Sequence, residues 1–278
     1  MQPTIAQALA AAPLDAVDAR VLMRHACGVD AAYLIAHADD VLSADRRAGF
    51  AAMVARRAAG EPVAYITGTR EFFSLEFKVT PAVLIPRPET ELLVEIALER
   101  TTTDGACRVL DLGTGSGCVA ITIAKHRPRA QVVAADRSAT ALEIARQNAV
   151  RHAAVNLELH ASDWFAALDD MRFDVIVANP PYIAAGDAHL QRGDLRFEPA
   201  AALAAGVDGL DSIRTIIAAA PRHLRAGASL VFEHGYDQAA RCRALLSAAG
   251  FDAVFTHTDL AGVERVTGGV LTPIAATL

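Results

Sequence analysis

The regular alternation of strand-like and helix-like segments after Gly105 constrains the fold of this chain more than any other feature. Short apolar runs predict buried strands at residues 108–111, 131–135, 157–160, 173–178 and 228–233. Apolar residues at helical spacing predict intervening helices that begin near Gly117, Ala139, Ala161 or Trp164, and Asp211. Strands that alternate with helices indicate right-handed crossovers, so this region is predicted to form a mostly parallel, doubly wound α/β sheet.

Two more strands are predicted at the carboxyl end, at residues 253–259 and 263–271. Only a short turn joins them, and a connection of that length makes the pair antiparallel. Together with the upstream runs, these strands predict a seven-stranded sheet whose last strand is antiparallel.

The chain before Gly60 has the apolar spacing of helices. Val17, Val21 and Leu22 recur at helical intervals, and Gly28 follows as a helix stop. Ser43 is a predicted N-cap for a second helix. The segment is therefore predicted to be a small helical bundle. Because its positive and negative charges are balanced, it is predicted to contact a protein or position a substrate rather than to grip nucleic acid.

These patterns divide the chain into three parts. Residues 1–70 are predicted to be a helical substrate-recognition domain, residues 71–86 a hairpin linker, and residues 87–278 the α/β domain. The hairpin is inferred from the alternation of apolar and polar residues up to Val79.

Composition argues against several classes of protein. The 278 residues carry a net charge of −6, which disfavours the broad basic surface of a protein that binds nucleic acid directly. Four cysteines lie apart without a C-x-x-C pair, and nine histidines lack ligand spacing, so no metal site is predicted.

The amino terminus is unlike a secretion signal, and no apolar stretch approaches the roughly 20 residues that span a bilayer. We therefore expect a cytoplasmic protein without a membrane segment and, in the absence of heptads, a monomer.

Residues 109–117 combine a predicted strand, a glycine-rich turn and the start of a helix. The third glycine falls two positions after the second, whereas in the dinucleotide-binding pattern it falls three after. Asp111 at the strand end would repel a phosphate but suits a positively charged ligand. The shorter loop and the terminal strand pair therefore favour S-adenosylmethionine, with its ammonium and sulfonium groups, over a dinucleotide. The predicted cofactor contacts in this loop are Asp111, Gly113, Thr114, Gly115, Ser116 and Gly117.

Acidic residues also follow the next two predicted strands. Asp136 lies 23 residues beyond Gly113, where a carboxylate can accept hydrogen bonds from both ribose hydroxyls. Asp163 can accept from the adenine amino group, and Trp164, the only tryptophan, can contact the adenine ring. A helix N-cap and a packing ring are equally good interpretations of Asp163 and Trp164.

Asn179, Pro180, Pro181 and Tyr182 close the apolar run at residues 173–178. The proline pair ends the strand, which leaves this corner at the carboxyl end of the sheet, where open α/β folds build their sites. The Asn179 side-chain oxygen and the Pro180 carbonyl are two acceptors, and they suit the two N–H donors of a planar amino or amide group. Tyr182 adds a flat apolar wall. Asn179, Pro180 and Tyr182 are therefore the candidate catalytic residues, and the whole corner is a candidate substrate site.

Two adjacent rings, Phe72 and Phe73, form part of the predicted hairpin. Neighbouring side chains on an extended chain point in opposite directions, so one ring is predicted to be buried while the other faces a substrate cleft. Burial of both rings at a domain junction is the alternative.

Five segments together resemble the release-factor glutamine methyltransferase family (HemK/PrmC type), a branch of the S-adenosylmethionine-dependent methyltransferases. They are residues 65–68, 71–73, 83–91, 179–183 and 233–235, and they extend over nearly the whole chain. The resemblance implies a Rossmann-like seven-stranded methyltransferase sheet with a small N-terminal helical bundle. It also implies methylation of the glutamine side-chain amide in the Gly-Gly-Gln motif of class 1 peptide-chain release factors, giving N5-methylglutamine.

The same resemblance implies roles for individual residues. Gly113 to Gly117, Asp136, Trp164 and Asn179 correspond to cofactor contacts in that family, and Asn179 to Tyr182 correspond to the glutamine site.

Two other functions compete with this interpretation. A nucleic-acid methyltransferase acting on adenine N6 or guanine N2 can use the same corner after base flipping, but it would be expected to have a basic surface. A non-enzymatic S-adenosylmethionine-binding module would need the glycine loop but not the Asn179 to Tyr182 corner.

Overall fold

The computed structural model describes residues 2–103 and 105–272. The chain divides into two compact units. One comprises the chain up to Thr69 together with Arg192–Phe197, and the other comprises Arg70–Gln191 and the described chain from Glu198 onward.

The first unit is helical, as predicted from its apolar spacing. Its helices are α1 (Ile5–Ala11), α2 (Ala16–Cys27), α3 (Ala31–Ala36), α4 (Ala44–Ala58) and α5 (Val63–Thr67). The predicted helix stop and N-cap are confirmed. Gly28 ends α2 in the left-handed conformation, and the Ser43 hydroxyl accepts a hydrogen bond from the Arg46 amide at the start of α4. Leu22, Met23 and other apolar side chains form the core of this unit. The Arg57 guanidinium donates to Asp18 and Asp194, which ties the segment Arg192–Phe197 to the bundle.

The predicted hairpin is present as two short strands, β1 (Thr69–Phe72) and β2 (Leu75–Lys78), which pair in a two-stranded sheet. Phe73 and Ser74 form the turn, and both have positive φ angles, 51° and 61°. Two consecutive residues with positive φ are typical of the tight turns whose twist matches a β-hairpin.

The second unit contains the predicted seven-stranded sheet, in the order β5-β4-β3-β6-β7-β9-β8. Strands β3 to β7 are parallel, and β9 is antiparallel to both of its neighbours, so the predicted antiparallel last strand is confirmed. The strands are β3 (Arg108–Leu112), β4 (Gln131–Asp136), β5 (Leu157–Ala161), β6 (Phe173–Ala178), β7 (Leu224–Glu233), β8 (Phe251–Thr258) and β9 (Glu264–Leu271). The helices are α6 (Glu91–Arg100), α7 (Cys118–His126), α8 (Ala139–Arg151), α9 (Asp211–Ala219) and α10 (Ala239–Ala248).

The central strands are mostly apolar because both faces of the sheet are covered. Val109 of β3 belongs to the core on one face, whereas its neighbour Leu110 belongs to the core on the other. Side chains of α6 and α7 pack in the first core, and those of α9 and α10 pack in the second. Strands β3, β4 and β5 follow one another in one direction across the sheet, and the next strand, β6, lies on the other side of β3. This reversal leaves a crevice at the carboxyl ends of β3 and β6, where ligands bind in open α/β sheets.

One predicted helix is wrong and one helix was not predicted. The segment near Ala161 and Trp164 forms turns, because Trp164 has a φ of 51° and the Ser162 hydroxyl bonds the local backbone instead of letting a helix propagate. Helix α10 lies between β7 and β8, in an alanine- and arginine-rich stretch whose apolar period is weak.

Among the described residues, no helix has the length and apolar character needed to cross a membrane. The four cysteines are buried and form no disulfide.

Candidate active site

A cavity of about 280 Å³ opens at the carboxyl ends of the central strands. The loops that follow β3, β4, β5 and β6 contribute to its lining, as the switch in strand order requires. Ten of the residues predicted from sequence line it: Asp111, Gly113, Thr114, Gly115, Ser116, Asp136, Asp163, Trp164, Asn179 and Pro181. Segments separated by more than 60 residues in the chain therefore meet in one place.

The glycine loop is held against the end of β4. The amides of Gly113 and Thr114 both donate to the Ala135 carbonyl, at 2.8 and 3.0 Å. Gly115 has a φ of 54°, and a Cβ there would contact nothing within 4 Å, so its backbone is open to a ligand. Gly117 has a different role, because a Cβ there would lie 2.9 Å from Ile121 Cδ1. Gly117 lies outside the cavity lining and permits close packing at the start of α7.

Asp111 is a buried carboxyl, with 2% exposure. Its Oδ2 accepts a hydrogen bond from the Thr114 hydroxyl at 2.7 Å. Burial raises the pKa of Asp111 to about 6, and the Thr114 bond opposes that shift. A carboxylate in this poorly solvated position is stabilised by a cationic ligand group, which agrees with the charge argument made from the sequence.

Asp136 is aligned by backbone donors. Its Oδ2 accepts from the Gly115 amide at 2.9 Å, and its Oδ1 accepts from the Ser138 amide at 2.8 Å. Each carboxylate oxygen has two lone pairs, so both oxygens can still accept from a ligand hydroxyl. The side chain therefore connects the glycine loop to the start of α8 and is available to the cavity that it lines.

Trp164 stands beside the glycine loop. A Cβ at Gly113 would lie 3.7 Å from Cζ3 of Trp164, which is van der Waals distance. The Ser162 hydroxyl donates to the Trp164 carbonyl at 2.9 Å and thereby fixes the turn that presents the ring. Asp163 lies exposed at the cavity edge and caps no helix, because none forms here.

The corner after β6 is part of a buried hydrogen-bond chain. Asn179 Nδ2 donates to Thr90 Oγ1 at 3.0 Å, and the Thr90 hydroxyl donates to Glu233 Oε2 at 2.7 Å. The Tyr182 hydroxyl donates to the other oxygen of the same carboxylate at 3.0 Å. Pro180 is buried, and neither Pro180 nor Tyr182 lines the cavity itself. Burial is the main cause that raises the pKa values of both Glu233 and Tyr182, so the phenol remains a donor.

Sequence reasoning did not assign Thr90 or Glu233 to the site. Glu233 ends the apolar strand β7 just as Asn179 follows the end of β6, and that shared position is the signal that could have identified it. Thr90 precedes α6, and no local pattern in the sequence indicates that its partner is Asn179, just after β6.

The two phenylalanines of the hairpin do not reach the cavity. Phe72 is fully buried, and its ring centroid lies 6.1 Å from that of Phe77. The Phe73 ring contacts His126 edge-on, with centroids 5.2 Å apart. Neither ring therefore faces the cavity, which is lined instead by residues between β2 and α6, including Val83, Leu84 and Pro86.

Glu198 links the chain between β2 and α6 to the segment that begins at Pro199. Its carboxylate accepts from the Ile85 amide at 3.1 Å and from the Arg87 guanidinium. Pro199, Ala201 and Ala202, which follow it, also line the cavity.

Comparisons with known proteins support the fold and the family. Residues 88–205 match the family model described as the methyltransferase small domain, and residues 4–68 match the PrmC N-terminal domain. Among solved structures, a methyltransferase from Pyrococcus furiosus aligns with a TM-score of 0.54 and 18% identity, over 78% of this chain and 97% of that one. A 16S rRNA methyltransferase from T. thermophilus, solved with AdoMet and guanosine, also gives a TM-score of 0.54, at 22% identity, over 73% of this chain and 49% of that one. At such identities these likenesses concern the fold.

Curated relatives are much more similar in sequence. The release factor glutamine methyltransferase of Burkholderia pseudomallei is 55% identical over 274 residues, which is 96% of each chain. The protein of the same name from Escherichia coli is 43% identical over 252 residues, 91% of each chain. The sheet, the glycine loop and the Asn179 corner thus occur in a chain that aligns with these relatives almost from end to end, and it belongs to the release factor glutamine methyltransferase family.

Proposed function

We propose that this protein transfers a methyl group from S-adenosylmethionine to the side-chain amide of the glutamine in the Gly-Gly-Gln motif of class 1 peptide-chain release factors, giving N5-methylglutamine. The observation that carries the proposal is the Asn179 amide, which lines the cavity and is held through its nitrogen by Thr90. The family relationship supplies the substrate class, because the relatives are named for release factor glutamine.

The glycine loop and the acidic side chains are a suitable set of contacts for the cofactor. Asp111 provides negative charge for the ammonium, Asp136 provides acceptors for the ribose hydroxyls, and Trp164 provides a ring surface for adenine, with Asp163 beside it. Bound there, S-adenosylmethionine supplies an electrophilic methyl group on a positively charged sulfur.

The substrate amide must be aimed because its nitrogen lone pair is delocalised into the carbonyl. Asn179 Oδ1, on the cavity lining, accepts one of its two N–H bonds, and the carbonyl of Pro180, which lies just behind that lining, is the proposed acceptor of the other. This orientation directs the lone pair at the methyl carbon. A nitrogen–carbon bond forms as the carbon–sulfur bond breaks, the sulfur keeps the electron pair, and the nitrogen releases one proton. Pro181 lines the cavity beside this amide site, and the Tyr182 ring supports the corner from behind.

The helical amino-terminal unit is proposed to recognise the release factor. Residues 1–70 would form that recognition domain, residues 71–86 the linker, and residues 87–278 the catalytic domain, acting as a monomer in the cytoplasm, where translation factors are found. Support comes from the compact helical unit itself and from the family model that matches residues 4–68.

The experiment is a methylation assay with purified enzyme, S-adenosylmethionine and a class 1 release factor, followed by mass spectrometry of the Gly-Gly-Gln peptide. One added methyl group on the glutamine is expected, and none on a release factor whose motif glutamine is replaced by alanine. Total DNA and RNA with radiolabelled cofactor form the other arm. Methyl transfer to nucleic acid without transfer to the release factor would contradict the proposal.

A further inference from the structure

We propose that Thr90 and Glu233 are positioning residues, which fix the orientation of the Asn179 side-chain amide so that its oxygen faces the substrate. This inference rests on the proposed function and adds two residues to it. Both residues lie outside the Asn179 to Tyr182 corner, since Thr90 precedes α6 and Glu233 ends β7.

An asparagine amide does not determine its own orientation. Its oxygen and nitrogen ends have nearly the same shape, and the final torsion of the side chain is broad and roughly two-fold. Asn179 must present an acceptor to an incoming amide, because an NH2 group there would face the NH2 group of the substrate. A partner within the protein therefore has to distinguish the two ends.

Thr90 is that partner. It is buried, with 2% exposure, and it also lines the cavity. A threonine hydroxyl has one proton and two lone pairs, so on its own it would accept from Asn179 Nδ2 or donate to Oδ1 equally well. Its contact with Asn179 thus fixes the orientation of the amide only if another group accepts a hydrogen bond from the Thr90 hydroxyl.

Glu233 accepts the hydrogen bond from the Thr90 hydroxyl. Its Oε2 is the acceptor, at 2.7 Å, so Thr90 is the donor in that contact and leaves a lone pair directed at Asn179 Nδ2, 3.0 Å away. The Tyr182 hydroxyl is the second donor to this carboxylate. Asn179 Oδ1 makes no hydrogen bond among the described residues, so it remains available to the cavity.

The burial of Glu233 supports a functional reason for its presence. A carboxylate with 2% exposure whose direct hydrogen-bond partners are two neutral hydroxyls is costly to bury, and an apolar side chain at the end of β7 would avoid that cost. Burial accordingly raises the pKa of Glu233, while the Thr90 and Tyr182 bonds oppose the rise.

The test compares Thr90→Val, which keeps the shape but removes the hydroxyl, with Thr90→Ser, which keeps the hydroxyl. Glu233→Gln is the second variant, because its NH2 group forces one of the two hydroxyls to turn. Thr122→Val is the matched control, since Thr122 is also buried but bonds only to its own helix at the Cys118 carbonyl. For each folded variant, kcat and KM are measured with a class 1 release factor, and cofactor affinity is measured by calorimetry.

We expect Thr90→Val to lower kcat by about 100-fold, as misorientation of a reacting group does. Glu233→Gln should lower kcat by a smaller factor, because its one remaining oxygen can still accept from Thr90, and neither variant should change KM or cofactor affinity much. Thr90→Ser and Thr122→Val should retain kcat close to that of the wild type. Equal kcat values for Thr90→Val and Thr90→Ser, whether both high or both low, would overturn the inference.

A second readout does not depend on the reaction. The side-chain NH2 resonances of Asn179, identified by their loss in Asn179→Ala, should show slow solvent exchange in the wild type and in Thr90→Ser, and faster exchange in Thr90→Val. Unchanged exchange in Thr90→Val would refute the positioning role. If the wild type shows the exchange pattern but methylates no release factor, the proposed function fails while the amide orientation stands.

Discussion

Leu112 of β3 lies in register with Ala178 of β6, so the two strands end side by side. The next residue of one strand is Gly113, which starts the glycine loop, and the next residue of the other is Asn179. Parallel pairing across the point where the strand order reverses thus brings the proposed cofactor loop and the proposed amide site to one edge of the sheet.

The first prediction concerns Asn179→Ala. Removal of the amide leaves the glycine loop and Asp136 in place, so cofactor affinity should change little. Turnover should fall by about 100-fold or more because the substrate amide loses one of its two acceptors. Calorimetry with S-adenosylmethionine and a steady-state methylation assay measure the two effects, and near-normal turnover would contradict the assigned role.

The second prediction concerns Asp136→Asn. An amide cannot accept from both the Gly115 and Ser138 amides and from ribose hydroxyls at once, because one of its two ends is a donor. Loss of hydrogen bonds to a charged group costs about 1.5–3 kcal/mol, so cofactor affinity should fall by about 10- to 100-fold. Glu143→Gln on the exposed surface of α8 is the control and should bind the cofactor as the wild type does. An unchanged dissociation constant for Asp136→Asn would argue against this contact.

The third prediction is a pH dependence of stability due to Asp111. Because the pKa of Asp111 is about 6 in the folded protein and 3.8 is its ordinary value, the folded state keeps the proton to higher pH than the unfolded chain does. The contribution of Asp111 to the free energy of unfolding is therefore largest below about pH 4. As pH rises through 6, the free energy of unfolding falls by about 3 kcal/mol in total. Urea unfolding of the cofactor-free protein measures it.

Asp111→Asn should lack this component, whereas Asp169→Asn at the surface should retain it. The cofactor should reverse the trend, since its ammonium favours the ionised carboxylate, and cofactor affinity should fall as pH drops below about 6. Parallel stability profiles for the wild type and Asp111→Asn would contradict the prediction.

The fourth prediction contrasts two glycines. Gly117→Ala should destabilise the protein by about 1–3 kcal/mol, because the residue has a φ of 81° and its new Cβ would lie 2.9 Å from Ile121 and 3.2 Å from Ala145. Gly49→Ala lies within α4, where a Cβ contacts nothing within 4 Å, and should stabilise by about 0.5–1 kcal/mol. Thermal unfolding of both variants provides the measurement. Equal effects of the two substitutions would show that packing at the start of α7 is looser than the structure indicates.

The amino-acid sequence by itself determined the strands of the sheet and the nature of the glycine loop. A sheet covered on both faces needs continuous apolar runs, and those runs are visible in the chain without any knowledge of its partners. Residues 173–178 were predicted as a strand, and β6 (Phe173–Ala178) has those bounds. The prediction failed where local bonds compete with a helix, as at Ser162 and Trp164.

Tertiary structure decided which side chains meet. Asn179 and Thr90 are 89 residues apart, and Thr90 and Glu233 are 143 apart, so no local period relates them. Their contact depends on the strand order, which sets β6 beside β7 and places the start of α6 against the ends of both. The same packing directs Phe72 into the core, and Val83, Leu84 and Pro86 line the cavity instead. Hydrogen bonds between distant segments follow from the way the sheet is assembled, and a sequence read in order contains no signal of that assembly.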